Sequence, residues 1–184
     1  MQLASHKYKI SRGPEVTASA CSKHFQFLLD RYNCVQIVNL LGQSPLSPEY
    51  VLTESYKSAV GQLDALQKDA VTYGVFDFHA IVRRDQYERL GELISQFANQ
   101  TFQFGCSIVD IKSGTLLQRQ TGILRTNCLD CLDRTNVVQA SFAIDHASRW
   151  IKQLGINVGF VDSQALDAII NDMWADVLYD NLEW

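Results

Sequence analysis

The stretch RTNCLDCLDRTN, Arg125–Asn136, decides how the rest of the chain is read. Its first ten positions hold two cysteines, two aspartates and two arginines, and Thr135 follows directly. The lead-in QTGILR (120–125) belongs to an apolar, extended run. Downstream, TNVVQASFAIDHASRWIKQLG (135–155) repeats Val138, Phe142, Ala143 and Trp150 or Ile151 at helical intervals, and Gly155 is a natural stop. The cluster therefore joins a strand to a helix.

Three chemistries compete for it. Cys128 and Cys131 form a C-x-x-C pair, but structural zinc needs four ligands and no second pair is present. A thioredoxin-like redox pair also precedes a helix, yet Asp130 and Asp133 would both oppose a thiolate there. The third reading counts five residues between Cys128 and Arg134, the spacing of cysteine-dependent phosphatases. A strand delivers Cys128, and the loop curls so that the backbone N–H groups of residues such as Leu129, Cys131 and Leu132 form an anion nest. The helix starting near Arg134 adds its positive end, and the Arg134 guanidinium forks two bonds onto phosphoryl oxygens. The same field favours a thiolate at Cys128, with Thr135 hydrogen-bonding the sulfur or assisting its departure. A poor alkoxide leaving group calls for a proton donor. Asp130 is the favoured acid and Asp133 an orienting group, against the plainer reading that both only brace the loop.

The other elements alternate. CVQIVNLL (34–41) is a buried strand, and GQSPLSP (42–48) a loop. EYVLTESYKSAVGQLDALQK (49–68) reads as one helix with Val51, Leu52, Tyr56, Val60, Leu63 and Leu66 along it. VTYGVFDFHAIV (71–82) begins as a strand whose end carries Asp77 and His79, which contact substrate, supply the acid or brace the phosphate loop. A helix over 84–100 faces inward through Tyr87, Leu90, Leu93, Ile94 and Phe97. FGCSIVDI (104–111) and TLLQRQTGILR (115–125) are extended, and 163–184 is a last helix with Leu166, Ile169, Ile170 and Met173 inward. The expected fold is α/β: a mostly parallel central sheet flanked by helices, with a cysteine-phosphatase P-loop between strand and helix.

Composition narrows the function. A chain of 184 residues, 47% hydrophobic and 20% charged, suits one domain with a sizeable core. A formal charge of -4 argues against general nucleic-acid binding and against strong electrostatic adhesion to anionic lipid. No run of 18 or more apolar residues suggests a transmembrane segment, and the N-terminus lacks a secretory h-region. The odd count of five cysteines then suggests reduced thiols in a cytoplasmic setting.

The twelve residues 125–136 resemble the signature of the Sac family of phosphoinositide phosphatases. VQIVNLLG (35–42), FDFH (76–79) and QTGILRTNC (120–128) fall in that family's order, and HKYKISRGPEVTASACSKHF (6–25) is similar to its synaptojanin type. The likeness runs from residue 6 to about 176. It implies that 1–184 form a single partial catalytic domain, without the family's N-terminal subdomain and its continuation beyond MW (173–174). It also implies hydrolysis of inositol-ring monophosphates at a membrane surface, with no metal or other cofactor. The site it implies comprises Cys128, Arg134, Asp130, Asp133 and Thr135, with Asn127, Leu129, Cys131, Leu132, Asp77 and His79 near substrate. The rival expectations are an inactive phosphoinositide-binding remnant and a protein phosphotyrosine phosphatase.

Overall fold

A computed structural model of the chain describes residues 8–82, 87–155 and 160–180. Its centre is a three-stranded parallel sheet in the order β2-β1-β5, with β1 at Cys34–Asn39, β2 at Val71–Val75 and β5 at Gly122–Asn127. β1 is buried on both faces, which its run of apolar and β-branched residues requires. Successive residues point to opposite faces. Val35 and Ile37 pack with Phe25, Val60 and Leu63. Val38 packs on the other side with Leu93, Phe97, Val138 and Phe142. The sheet thus lies between two helical layers. One holds α1 (Pro14–Leu29), α2 (Tyr50–Gly61) and α3 (Ala65–Ala70); the other holds α5 (Leu90–Phe102) and α6 (Asp133–Gln153). The short α4 (Phe78–Ile81) follows β2, and α7 (Phe160–Asp180) packs on α6.

The parallel sheet and flanking helices follow the sequence reading; several elements differ. α1 is absent from the periodicity argument, although Pro14 at its first turn and Glu15 beside it are start signals. The single helix expected over 49–68 breaks after Gly61. Asp64 caps α3 by accepting the Gln67 N–H at 2.9 Å, and Leu63 is buried in the break. Val51 and Leu66, placed with the apolar positions of that helix, are exposed. Of the extended pieces at 104–111 and 115–125, Ile108–Val109 forms β3 and Leu116–Gln118 forms β4, a separate antiparallel pair, while the end of the second piece enters the central sheet as the start of β5. The second piece breaks at Thr121, whose N–H bonds Phe104 O at 2.7 Å, before β5 begins. The helix expected over 84–100 is a 3-10 turn, Tyr87–Arg89, leading into α5, and 84–86 lie outside the described residues. On α7 Ile170 is buried, but Ile169 and Met173 are exposed because they lie off the face turned to α6.

β1 has β2 on one side and β5 on the other, so the connections leave it in opposite directions. Open parallel sheets collect ligands outside the carboxyl ends of their strands at such a switch point. The segment Cys128–Leu132 lies there, between the end of β5 and the start of α6.

Candidate active site

Cys128 is carried to the carboxyl end of the sheet by β5, whose pairing with β1 ends at Asn39–Asn127. The residue is 8% exposed and packs into the core beside Val138 and Phe142. Three groups address its sulfur. The Cys131 N–H donates at 3.0 Å, and the buried Thr135 hydroxyl donates at 3.3 Å. The thiol in turn donates to Asp130 Oδ1 at 3.6 Å. Cys131 reaches its position with a φ of 59°, a left-handed conformation uncommon outside glycine. The turn continues at Leu132, whose N–H donates to Asp130 Oδ1 at 3.3 Å, and α6 starts with Asp133. Two donors are thus aimed at one sulfur, at the N-terminal end of a 21-residue helix.

α6 is held in place along its length. Val138 and Phe142 bury against the sheet, each worth about 1.5–3 kcal/mol. Gln139 donates to Thr126 Oγ1 at 3.0 Å, and His146 shares a hydrogen bond with Thr101 at 3.0 Å. These contacts fix where the first turn of α6 presents Arg134 and Thr135.

Arg134 is paired with a residue that the sequence reading overlooked. Its Nη2 lies 2.8 Å from Glu49 Oε1 and its Nη1 lies 3.1 Å from Oε2. The two side chains are 11% and 7% exposed. Glu49 precedes α2, and its Oε2 also accepts the Gly42 N–H at 3.0 Å. Burial works against a charged Glu49. The Arg134 hydrogen bonds, the Gly42 N–H and the charges of Arg134 and His79 outweigh it and hold the carboxyl below its usual range. Gly42 is confined: a Cβ there would lie 2.7 Å from Ser47 Cβ, so only glycine leaves the turn undisturbed. A glutamate opening a helix carries no periodic signal that would match it to an arginine 85 positions away.

The strand ends are joined by a second polar network. Asn127 donates to Asn39 Oδ1 at 2.7 Å, and Asn39 donates to Tyr73 OH at 2.9 Å. Asn39 Oδ1 also accepts the Leu41 N–H at 3.2 Å. Asn127 therefore ties the end of β5 to the end of β1, side chain to side chain. Arg125 packs against α1 and α2. Its Nη1 donates to Tyr56 OH at 2.8 Å, its Nε to His24 Nε2 at 3.1 Å, and its guanidinium lies over the Tyr56 ring. Burial and the Arg125 charge hold His24 below the usual imidazole range, the neutral form that can accept that Nε–H.

The remaining expected residues divide. Asp130 is exposed at the loop; the Leu132 N–H above all, with help from the Cys128 thiol and the Arg134 charge, holds its carboxyl below the usual range. Asp133 is exposed in the first turn of α6, and Leu129 is exposed on the loop. Asp77 does not end a strand. β2 stops at Val75, and Asp77 caps α4, its Oδ1 accepting the Ala80 N–H at 3.0 Å and its Oδ2 the Gln43 N–H at 2.8 Å. It thus braces the loop that carries Gly42. His79 stands exposed on α4, near enough to Glu49 to act on its charge. Nδ2 of Asn136 is buried without a partner among the described residues.

The SacI homology domain matches residues 1–83. Rat synaptojanin-1 is 35% identical over 158 residues, 85% of this chain and 10% of that protein. Fruit-fly phosphatidylinositol-3-phosphatase SAC1 is 36% identical over 162 residues, 86% of this chain and 26% of that protein. Synaptojanin of Caenorhabditis elegans is 32% identical over 175 residues, 95% of this chain and 15% of that protein. Spans of this share of the chain take in the 125–136 stretch, while the chain itself spans only a minor part of each relative. The chain carries a SacI homology domain and is related to synaptojanin and SAC1 phosphatases over most of its length.

Proposed function

We propose that the chain hydrolyses monophosphates on the inositol ring of phosphoinositides, with Cys128 as nucleophile and a cysteinyl-phosphate as intermediate. The observation that carries this reading is the Cys128 sulfur at the start of α6, addressed by the Cys131 N–H and the Thr135 hydroxyl, with Arg134 in the first turn of the same helix. In this reading Cys128–Arg134 is the phosphate-binding loop, with the N–H groups of Leu129, Cys131 and Leu132 around the phosphoryl oxygens. The names of the relatives, which include a phosphatidylinositol-3-phosphatase and a yeast polyphosphatidylinositol phosphatase, point to the substrate class. No described helix is long and apolar enough to cross a membrane, so access to lipid head groups is peripheral in this reading.

The steps follow from the atoms present. The thiol proton has an acceptor in Asp130 Oδ1. Sulfur attacks phosphorus, the P–O bond to the ring breaks, and the leaving oxygen takes a proton from Asp130. In the resting loop Asp130 is held ionised, so it gains that proton only when the thiol gives it up beside a bound phosphate dianion, whose charge favours the neutral acid. Asp133 orients the loop. Water then cleaves the S–P bond, releasing phosphate and restoring the thiol. Arg134 compensates the charge on the transferring group.

The test is phosphate release from short-chain phosphatidylinositol 3-, 4- and 5-phosphates, with Cys128→Ser in parallel and a chelator present throughout. Release by the native chain, lost in Cys128→Ser, is the expected result. Release that persists in Cys128→Ser, or that the chelator abolishes, refutes the mechanism. Head-group binding without release by the folded chain would make the loop a receptor rather than a catalyst.

A further inference from the structure

We infer that Glu49 is the positioning residue of the phosphate site: it grips Arg134 end-on and leaves the guanidinium's Nε side for the phosphoryl group, an assignment that rests on the phosphatase reading above. A guanidinium offers five N–H donors in a fixed plane. Glu49 takes one from Nη1 and one from Nη2, at 3.1 and 2.8 Å. That is the end-on fork. The side-on fork, Nε–H with the neighbouring Nη–H, accepts an oxyanion in the same plane without disturbing the first. Among the described residues no acceptor occupies Nε. Arg134 is the second residue of α6, directly after the loop that ends at Leu132.

The fixation is tight because Glu49 is itself fixed. It is 5% exposed, and its Oε2 is shared between Arg134 and the Gly42 N–H. Gln43 next to Gly42 is tied to Asp77, so the turn bearing this donor is anchored on α4. A glutamine at position 49 cannot replace the carboxylate. Either orientation of its amide sets an NH2 group against a donor, from Arg134 or from both Arg134 and Gly42. The arrangement also forbids the opposite role. A carboxylate competing for the phosphate position would have to use the Nε side, and Glu49 does not.

The experiment compares native chain, Glu49→Gln, Arg134→Lys and the double variant, each checked for fold by circular dichroism and assayed well below its melting temperature. The readouts are inorganic phosphate affinity by calorimetry and kcat/KM on a short-chain phosphoinositide. Glu49→Gln is expected to lose at least tenfold in phosphate affinity and about 100-fold in kcat/KM, because a misplaced catalytic group costs about that much. The double variant is expected to be no more than twofold worse than Arg134→Lys, since Glu49 acts through Arg134. Losses that multiply, unchanged phosphate affinity in folded Glu49→Gln, or tighter binding there would each overturn the assignment. Nitrogen-15 NMR of the arginine side chains in the native chain decides the case even if Glu49→Gln does not fold. Phosphate should shift Arg134 Nε–H while the hindered Nη signals persist, and loss of those signals would mean that Glu49 is displaced. Absence of Cys128-dependent turnover with these shifts intact defeats the phosphatase reading alone; absence of any phosphate shift defeats both.

Discussion

Asn39→Leu is the sharpest test of how the strand ends are held. Asn39 is fully buried at the end of the central strand. Its Oδ1 accepts the Asn127 amide at 2.7 Å and the Leu41 N–H at 3.2 Å, while its own amide donates to Tyr73 OH at 2.9 Å. Leucine keeps the heavy-atom count and the branching at Cγ, so the change is chiefly electrostatic, and any overpacking by its bulkier methyl groups adds to the loss. It orphans two donors, each costing about 1–3 kcal/mol, against about 1 kcal/mol gained from added apolar burial. The net loss should be about 3 kcal/mol, a large part of the ~5–15 kcal/mol that holds an ordinary domain. Asn127→Leu should cost only about 1 kcal/mol. Asn39 Oδ1 then keeps Leu41 as a donor, and Arg125 keeps Tyr56 and His24. The double variant should be less destabilised than the sum by about 1–2 kcal/mol, because the Asn127 donor that Asn39→Leu strands is gone. Urea unfolding followed by circular dichroism at pH 7 measures all three. A loss below about 1 kcal/mol for Asn39→Leu, or strict additivity in the double variant, refutes the argument.

Two further outcomes follow from the loop and its anchor. Glu49 titrates lower folded than unfolded, so its stabilisation is complete above the ordinary value of 4.5 and fades as pH falls through the lower folded value. Removing one partner of a buried pair costs about 3–5 kcal/mol, so Glu49→Gln should trail the native chain by that amount at neutral pH. The gap in urea stability should narrow in acid, and a gap that stays constant to pH 3 would contradict the linkage. Cys131 adopts φ 59°, a conformation that costs a side-chain-bearing residue about 1–2 kcal/mol. Cys131→Gly should therefore leave thermal stability equal or slightly raised and phosphate release intact, whereas Cys131→Val should lower both; a large loss in Cys131→Gly would give the thiol itself a role.

How far the fold was legible depended on whether periodicity or a partner set the structure. β1 could be read because Val35, Ile37 and Val38 form a short apolar run buried on both faces, and α6 because Val138 and Phe142 lie four apart on one stripe. The Thr135–Cys128 hydrogen bond after β5 was legible because it is local, spanning seven positions. What failed was non-local or only two or three residues long. β3 and β4 are too short to alternate recognisably. The break between α2 and α3 turns on the capping side chain of Asp64, which competes with a helical stripe that otherwise continues through it. Asp77 looked like the end of a strand because Val71–Val75 leads toward it, but its carboxylate bonds local N–H groups and starts a helix instead. Glu49 and Asn39 acquire meaning only from partners brought in by the sheet.

The sheet order explains why those partners converge. β1 lies between β2 and β5, so Asn39 has the end of β2 on one side and Asn127 on the other. The segment after β1 carries Gly42 and Glu49, the segment after β2 carries Asp77, and the segment after β5 carries Cys128 and Arg134. Each connection is tied to another: Asp77 to Gln43, Glu49 to Gly42 and to Arg134. A strand slip of one residue would reverse every side chain of the slipped strand. The apolar faces of β1 forbid that slip, so the same burial that stabilises the core also sets the distance between Glu49 and Arg134. Core substitutions on β1, such as Ile37→Ala, should therefore disturb phosphate affinity only through global unfolding, whereas substitutions at Gly42 or Asp77 should disturb it within the folded state.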